Sequence, residues 1–190
     1  MTRKASAILN FGLAALLVAF GASSTALGQS DQTAQSKLVE IVRNATLQYQ
    51  NVANATGFSP VLGCVSGPDH GAMGIHYVNT GLINGETLLS NGQLDATKPQ
   101  ALIYEPQANG ELKLVAVEFI ILASALPAGA GPQVEGHLMQ YIDGPSTARP
   151  KATPNRYGLP AFFELHVWAW KDNPQGSFVD WNNHVTCDRQ

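Results

Sequence analysis

The stretch Phe162-Phe163-Glu164-Leu165-His166-Val167-Trp168-Ala169-Trp170 reads as one β-strand with two unlike faces. Side chains alternate across a strand, so Phe163, Leu165, Val167 and Ala169 form an apolar row, while Glu164, His166, Trp168 and Trp170 share the other side. The first row suits a core. The second sets a carboxylate and an imidazole beside two large aromatic rings, the material of a binding site.

From Gly57 onward the chain consists of short apolar runs separated by Gly, Pro, Asn and Asp, the texture of antiparallel sheet. Strands are predicted at 73–78, 101–105, 112–122, 136–142 and 162–170. Asn109-Gly110, between the second and third, is a hairpin signal of the type I′ turn, whose two central residues both need positive φ. The segments 123–132 and 143–160 are rich in Pro, Gly and Ala and too long for tight turns, so each reads as a lid or a surface loop. Upstream, the spacing predicts one helix over 33–53, because Leu38, Ile41, Val42, Ala45, Tyr49 and Val52 fall on one face. The expected fold is α+β: an N-terminal amphipathic helix packed on an antiparallel sheet or small barrel. No internal repeat is visible, and the length suits a single domain.

The first residues address the chain for export. Arg3 and Lys4 precede an apolar run from about Ala7 to Ala22, too short for the roughly 20 residues that span a bilayer, and Ala26-Leu27-Gly28 offers small residues for cleavage before Gln29. The expected organisation is a signal peptide over 1–28, the helical segment over 29–56 and a β-rich remainder over 57–190, with no membrane span left after processing and a secreted or periplasmic destination. Removing Arg3 and Lys4 leaves 9 basic against 14 acidic residues, a balance of −5. Such a chain, without a basic cluster, lacks what neutralises phosphates and argues against a nucleic-acid partner. Asn44-Ala45-Thr46 and Asn54-Ala55-Thr56 match the glycosylation pattern, which has force only in a eukaryotic secretory setting. The two cysteines, Cys64 and Cys187, pair most simply with each other in an oxidising compartment.

Polar residues stranded on apolar strand faces mark the candidate site. Glu118 interrupts the row Leu114, Ala116, Ile120; His137 shares a side with Met139 and Tyr141, His76 with Gly74 and Val78, and His166 stands between Glu164 and Trp168. A buried carboxylate is costly unless paired, protonated or coordinating. Three imidazoles and one carboxylate suit a divalent Zn, Mn, Fe or Cu ion, so His76, Glu118, His137 and His166 are the expected metal ligands. Glu164 and Tyr141 are the candidates for proton transfer if the centre is catalytic. The plainer alternative is a set of core histidines, with Glu118 paired to Arg156 or a tyrosine. His70 and His184 lie in turns and carry less weight. Trp168, Trp170, Trp181, Phe162 and Tyr77 are the material for an aromatic wall or for ordinary sheet packing. No GxSxG, Walker or GxGxxG pattern occurs, which leaves the common hydrolase, nucleotide and dehydrogenase readings without support.

The blocks Gly63-Cys64-Val65-Ser66-Gly67-Pro68, Met73-Gly74-Ile75-His76-Tyr77-Val78-Asn79, Ala101-Leu102-Ile103-Tyr104-Glu105-Pro106 and Leu165-His166-Val167-Trp168-Ala169-Trp170-Lys171-Asp172-Asn173-Pro174 resemble those of a group of uncharacterised secreted bacterial proteins. The resemblance spans nearly the whole mature chain and implies a bacterial envelope or extracellular setting, with no activity attached. In ligand type alone the His and Glu set is similar to that of the cupins, whose GxxxxxHxH signature is missing here. The functional expectation is a divalent-metal centre acting on a small molecule, as an oxidoreductase or lyase. The alternative is a non-catalytic envelope module that binds a ligand or partner, with structural histidines.

Overall fold

The computed structural model describes residues 37–67, 69–145 and 155–190. The leader and the first four residues of the expected helix lie outside that range. Helix α1 spans 37–46 and tightens into 3-10 turns at Leu47–Gln50 and Val52–Asn54. The strands are β1 (Ser59–Gly67), β2 (Gly71–Val78), β3 (Ala101–Pro106), β4 (Leu112–Leu122), β5 (Gln133–Val134), β6 (His137–Leu138), β7 (Gln140–Ile142) and β8 (Phe162–Val167). Six of them form one antiparallel sheet in the order β1-β2-β3-β4-β8-β7, curled into a half-barrel, and β5 and β6 make a separate two-stranded ribbon. No described helix is long and apolar enough to cross a membrane.

One face of the sheet carries the main core. Leu102, Tyr104, Leu114, Val117, Phe119, Ile121, Leu165 and Val167 pack there with Leu38 and Val42 of α1, all essentially without exposure apart from a trace at Leu165. Burial of this apolar area drives the fold, at about 25 cal/mol per Å² removed from water. Polar bonds fix how the chain meets the sheet: the Tyr104 hydroxyl donates to the Tyr49 carbonyl (2.8 Å), Trp170 Nε1 to Thr46 Oγ1 (3.0 Å), and Arg43 Nε to the Ala169 carbonyl.

A bulge in β4 decides which residues face the other way. Ile103 pairs with Ala116 and Tyr104 with Leu114, so Val115 has no partner in β3, and its carbonyl instead accepts from the N–H groups of Trp170 and Lys171. An extra residue reverses the alternation. Leu114 therefore joins the main core, and the expected row of Leu114 with Ala116, Glu118 and Ile120 loses its first member. Beyond the bulge Ala116, Glu118 and Ile120 stay together on the second face.

Other boundaries shift for local reasons. β1 has an exposed, irregular edge with register breaks at Pro60/Cys64 and Val65/Ser66, so its sequence lacks alternation and escapes prediction. The strand expected over 136–142 is two pieces, because the Met139 N–H turns to the Pro132 carbonyl. β8 stops at Val167, after which Trp168 N–H donates to Ser177 and Trp170 swings onto the main core. The 107–111 hairpin forms, but Gly110 N–H bonds to the Gln107 carbonyl and only Gly110 has positive φ, so it is not the expected type I′ turn.

Cys64 in β1 and Cys187 near the C-terminus form a disulfide with 5.5 Å between Cα atoms, across 123 positions of sequence. The tail it holds is also anchored at Glu105, which accepts from Lys171 Nζ (2.7 and 2.9 Å) and from Thr186 N–H (3.2 Å). Closing a loop of this length stabilises by roughly 4 to 5 kcal/mol in the chain-entropy model. Reduction, or Cys187→Ser, is expected to lower the thermal midpoint by several degrees in calorimetry; a variant melting with the wild type would show that the tail's polar anchors suffice.

Candidate metal centre

The second face of the sheet is apolar at both ends and polar in the middle. Ala72, Ile103, Val115, Ala116, Trp168 and Val185 cluster at one end, and Val78, Ile83, Ala101, Ile120 and Phe162 at the other. Between them the register aligns Ala101, Glu118 and His166 directly across β3, β4 and β8. His76 on β2 is opposite Ile103. Because Ala101 and Ala116 carry only methyl groups, the His76 ring reaches over β3 toward Glu118.

His76 Nε2 lies 3.6 Å and His166 Nε2 3.9 Å from the same carboxylate oxygen, Glu118 Oε2. The two imidazoles meet edge to face, with centroids 6.0 Å apart. His76, Glu118 and His166 are fully buried, and one ligand atom from each lies within 4.8 Å of the others. A second set, Glu164, His166 and Asp180, meets the same separation, with His166 Nδ1 3.3 Å from Asp180 Oδ1.

Two residues from the loop at 155–159 cover this floor. Asn155 shapes it by donating to the carbonyls of Leu159 (2.7 Å) and Asp143 (3.1 Å). Arg156 Nη2 then donates to Glu118 Oε1 (2.7 Å) and Glu164 Oε2 (2.5 Å), and the Tyr157 hydroxyl donates to Glu118 Oε2. Each oxygen of Glu118 thus has a donor, which is the alternative pairing with Arg156 that the sequence allowed. The imidazoles are different. Among the described residues no ring nitrogen of His76 or His166 has an aligned hydrogen-bond partner, although all four atoms are buried; His166 Nδ1 has only the longer Asp180 contact and His76 the Gly74 backbone nearby. Buried polar atoms are nearly always satisfied, so the two Nε2 atoms that converge on Glu118 require an explanation.

The charges distort one another. Burial, then Glu118, pushes the Glu164 carboxyl up to about 8 against the pull of Arg156. Burial, with His166 and Arg156 adding to it, holds His76 well below the usual imidazole range. His166 keeps Asp180 below the ordinary carboxylate range, with burial opposing. Burial, then Glu118, raises the Tyr157 phenol well above 10. Burial works against the Arg156 cation, but Glu118 and Glu164 outweigh it and raise that group.

Of the four expected ligands the fold brings together His76, Glu118 and His166. His137 lies in the β5–β6 ribbon, its ring against Phe178 at 4.3 Å, because the break at Met139 detaches it from the sheet. Glu164 stands in the site beside Arg156. Tyr141 does not: it pairs with Phe163, one position off the Gln140–Glu164 pair, and its ring packs on Phe163 with 53% of the residue exposed. The aromatic residues likewise divide among Trp168 in the second-face cluster, Trp170 and Tyr77 on the main core and Trp181 against Gly67, and share no wall. Arg156 was legible as a partner, whereas Tyr157 and Asp180 come from irregular segments with no periodic signal.

The pH dependence of the ion-free protein follows from two of these shifts. Above about 6.5 the unfolded chain has lost the Glu164 proton that the native state holds to about 8, so stability is expected to fall as pH rises from 6.5 to 8. Below 6.5 the unfolded chain protonates His76 and the native state does not, which lowers stability toward acid and opposes the Glu164 effect. Urea unfolding in chelator at pH 6.5 and 8 reads the upper window. Glu164→Gln is expected to abolish the difference, and a difference that persists in that variant would assign it elsewhere.

Comparison with protein-family models, with curated proteins and with solved structures gives no match, so what this site does is argued from its geometry.

Proposed function

We propose that this chain is an exported bacterial protein whose second sheet face holds one divalent transition-metal ion on His76, Glu118 and His166. The observation that supports the reading is the pair of buried imidazole Nε2 atoms, neither with an aligned hydrogen bond among the described residues, that lie 3.6 and 3.9 Å from one carboxylate oxygen. Three donor atoms about 2.1 Å from an ion and 120° apart would stand about 3.6 Å from one another, so the separations of 3.6 and 3.9 Å fit with a movement of a few tenths of an ångström. Two imidazoles and a carboxylate favour Zn, Mn, Fe or Cu over the oxygen-seeking Ca and Mg.

Charge supports the same reading. With neutral imidazoles and Glu164 holding its proton to about pH 8, the Glu118 and Asp180 carboxylates face one guanidinium, a surplus of negative charge that a cation offsets. The ion would act as a Lewis acid or redox centre, while Arg156 and Tyr157 hold Glu118 in place. Because the three ligands are without exposure and the described groups around them that reach solvent are Arg156 (19%), Tyr157 and Asp180 (29%), the reading is of a resident, enclosed ion. A small molecule would approach past those side chains. Export is supported by the leader-like N-terminus, the disulfide and the blocks resembling secreted bacterial proteins.

A second reading draws on the Arg156 bonds: the cluster is an ionic clasp that ties the 155–159 loop to the sheet, with no metal. Titration of chelator-treated protein with Co(II) separates the two. The metal reading expects one equivalent bound with visible ligand-field absorption, displaced by Zn(II) and lost in the folded His76→Ala, His166→Ala double variant. No uptake by the wild type, or undiminished uptake by the double variant, would favour the clasp.

A further inference from the structure

The C-terminal segment reaches the site at His166, and a set of named bonds holds it there. Trp168, two residues beyond His166, stacks on the His166 ring (centroids 6.5 Å apart, planes 19° apart) and donates its indole N–H to the Val179 carbonyl at 2.6 Å. Its backbone N–H takes the Ser177 carbonyl at 2.9 Å. Asn182, fully buried, exchanges two backbone bonds with Ala72 (3.1 and 3.2 Å) and sends its side chain to the Asp172 carbonyl. Asp180 sits between these clamps, with Oδ1 3.3 Å from His166 Nδ1.

Resting on the reading above, the geometry points to Asp180 as the residue that positions His166 for the ion, by keeping the imidazole proton on Nδ1 and the Nε2 lone pair turned toward Glu118. A neutral imidazole has one N–H and one lone pair, and the partner of one nitrogen decides the state of the other. A carboxylate on Nδ1 can only accept, so it selects the Nδ1–H tautomer. Nε2 then meets Glu118 Oε2 lone pair to lone pair, an arrangement that a cation between them makes favourable. The 3.3 Å contact is outside aligned hydrogen-bond geometry, and contacts of this kind tighten when a site is filled. Asp180 also lies within reach of Glu164, but Arg156 already occupies both Glu164 oxygens, which favours a supporting over a ligating role for this acidic pair.

Two measurements on the full exported chain test the assignment. Long-range 1H–15N spectra of the chelator-treated protein at neutral pH should show His166 as the Nδ1–H tautomer, and Asp180→Ala should shift it toward Nε2–H or a mixture. Co(II) and Zn(II) titrations should show affinity falling 10- to 100-fold in Asp180→Ala and less in Asp180→Asn, which retains an oxygen acceptor, with the thermal midpoint of the ion-free protein little changed. An Nε2–H or doubly protonated His166 in the wild type would overturn the assignment, as would wild-type affinity and tautomer in Asp180→Ala. If the wild type takes up no metal yet shows the Asp180-dependent tautomer, the metal reading falls and the positioning role stands.

Discussion

A carboxylate with no contact with water lies at the middle of a β-sheet, and the second face of this molecule is organised around meeting its needs. Desolvating an ionised carboxylate costs several kcal/mol even after the protein relaxes, and removing its partners would leave that cost uncompensated. Arg156 supplies a charged donor to one oxygen of Glu118 and Tyr157 a hydroxyl to the other. Both come from a short loop whose shape depends on Asn155. Fold and site are therefore one problem: the loop is held by the carboxylate, and the carboxylate is tolerated because the loop is there.

The sheet contributes precision. Ala101, Glu118 and His166 are cross-strand neighbours by register, and the methyl side chains of Ala101 and Ala116 open the space through which His76 arrives. Strands set such positions more firmly than loops do. The bulge at Val115 has two effects at once. It sends Leu114 into the main core while leaving Glu118 on the opposite face, and it frees a carbonyl that captures the chain just after β8. The disulfide and the Glu105 anchor then return the C-terminus to β1, so Asp180 passes beside His166 on a segment pinned at both ends.

Electrostatically the cluster is unbalanced in a particular direction. Carboxyl groups outnumber cations, burial and then Glu118 hold the proton on Glu164 to about pH 8, and the imidazole Nε2 atoms face Glu118 without an aligned hydrogen bond. An ionic clasp evolved only for stability would gain by pairing those nitrogens with backbone carbonyls, as most buried histidines do. The two Nε2 atoms that face Glu118 Oε2 without an aligned hydrogen bond are what a salt bridge alone leaves unused, and its net contribution to stability is often small.

Much of the architecture is local in origin and legible in the chain. The α1 stripe, the strands β2, β3, β4 and β8, and the placement of His76, Glu118 and His166 among apolar neighbours follow from periodicity, which depends only on pleat and helical repeat. The pairing of Cys64 with Cys187 follows from there being no other cysteine. What periodicity cannot supply is phase across an irregularity. The break at Met139 removed His137, the one-residue offset in β7 turned Tyr141 to the wrong side, and the end of β8 at Val167 sent Trp170 to the main core. Tyr157 and Asp180 enter the site from segments without repeating pattern, positioned by hydrogen bonds to residues distant in sequence. Those choices belong to tertiary structure, because only the closed sheet determines which loop end lies over which strand.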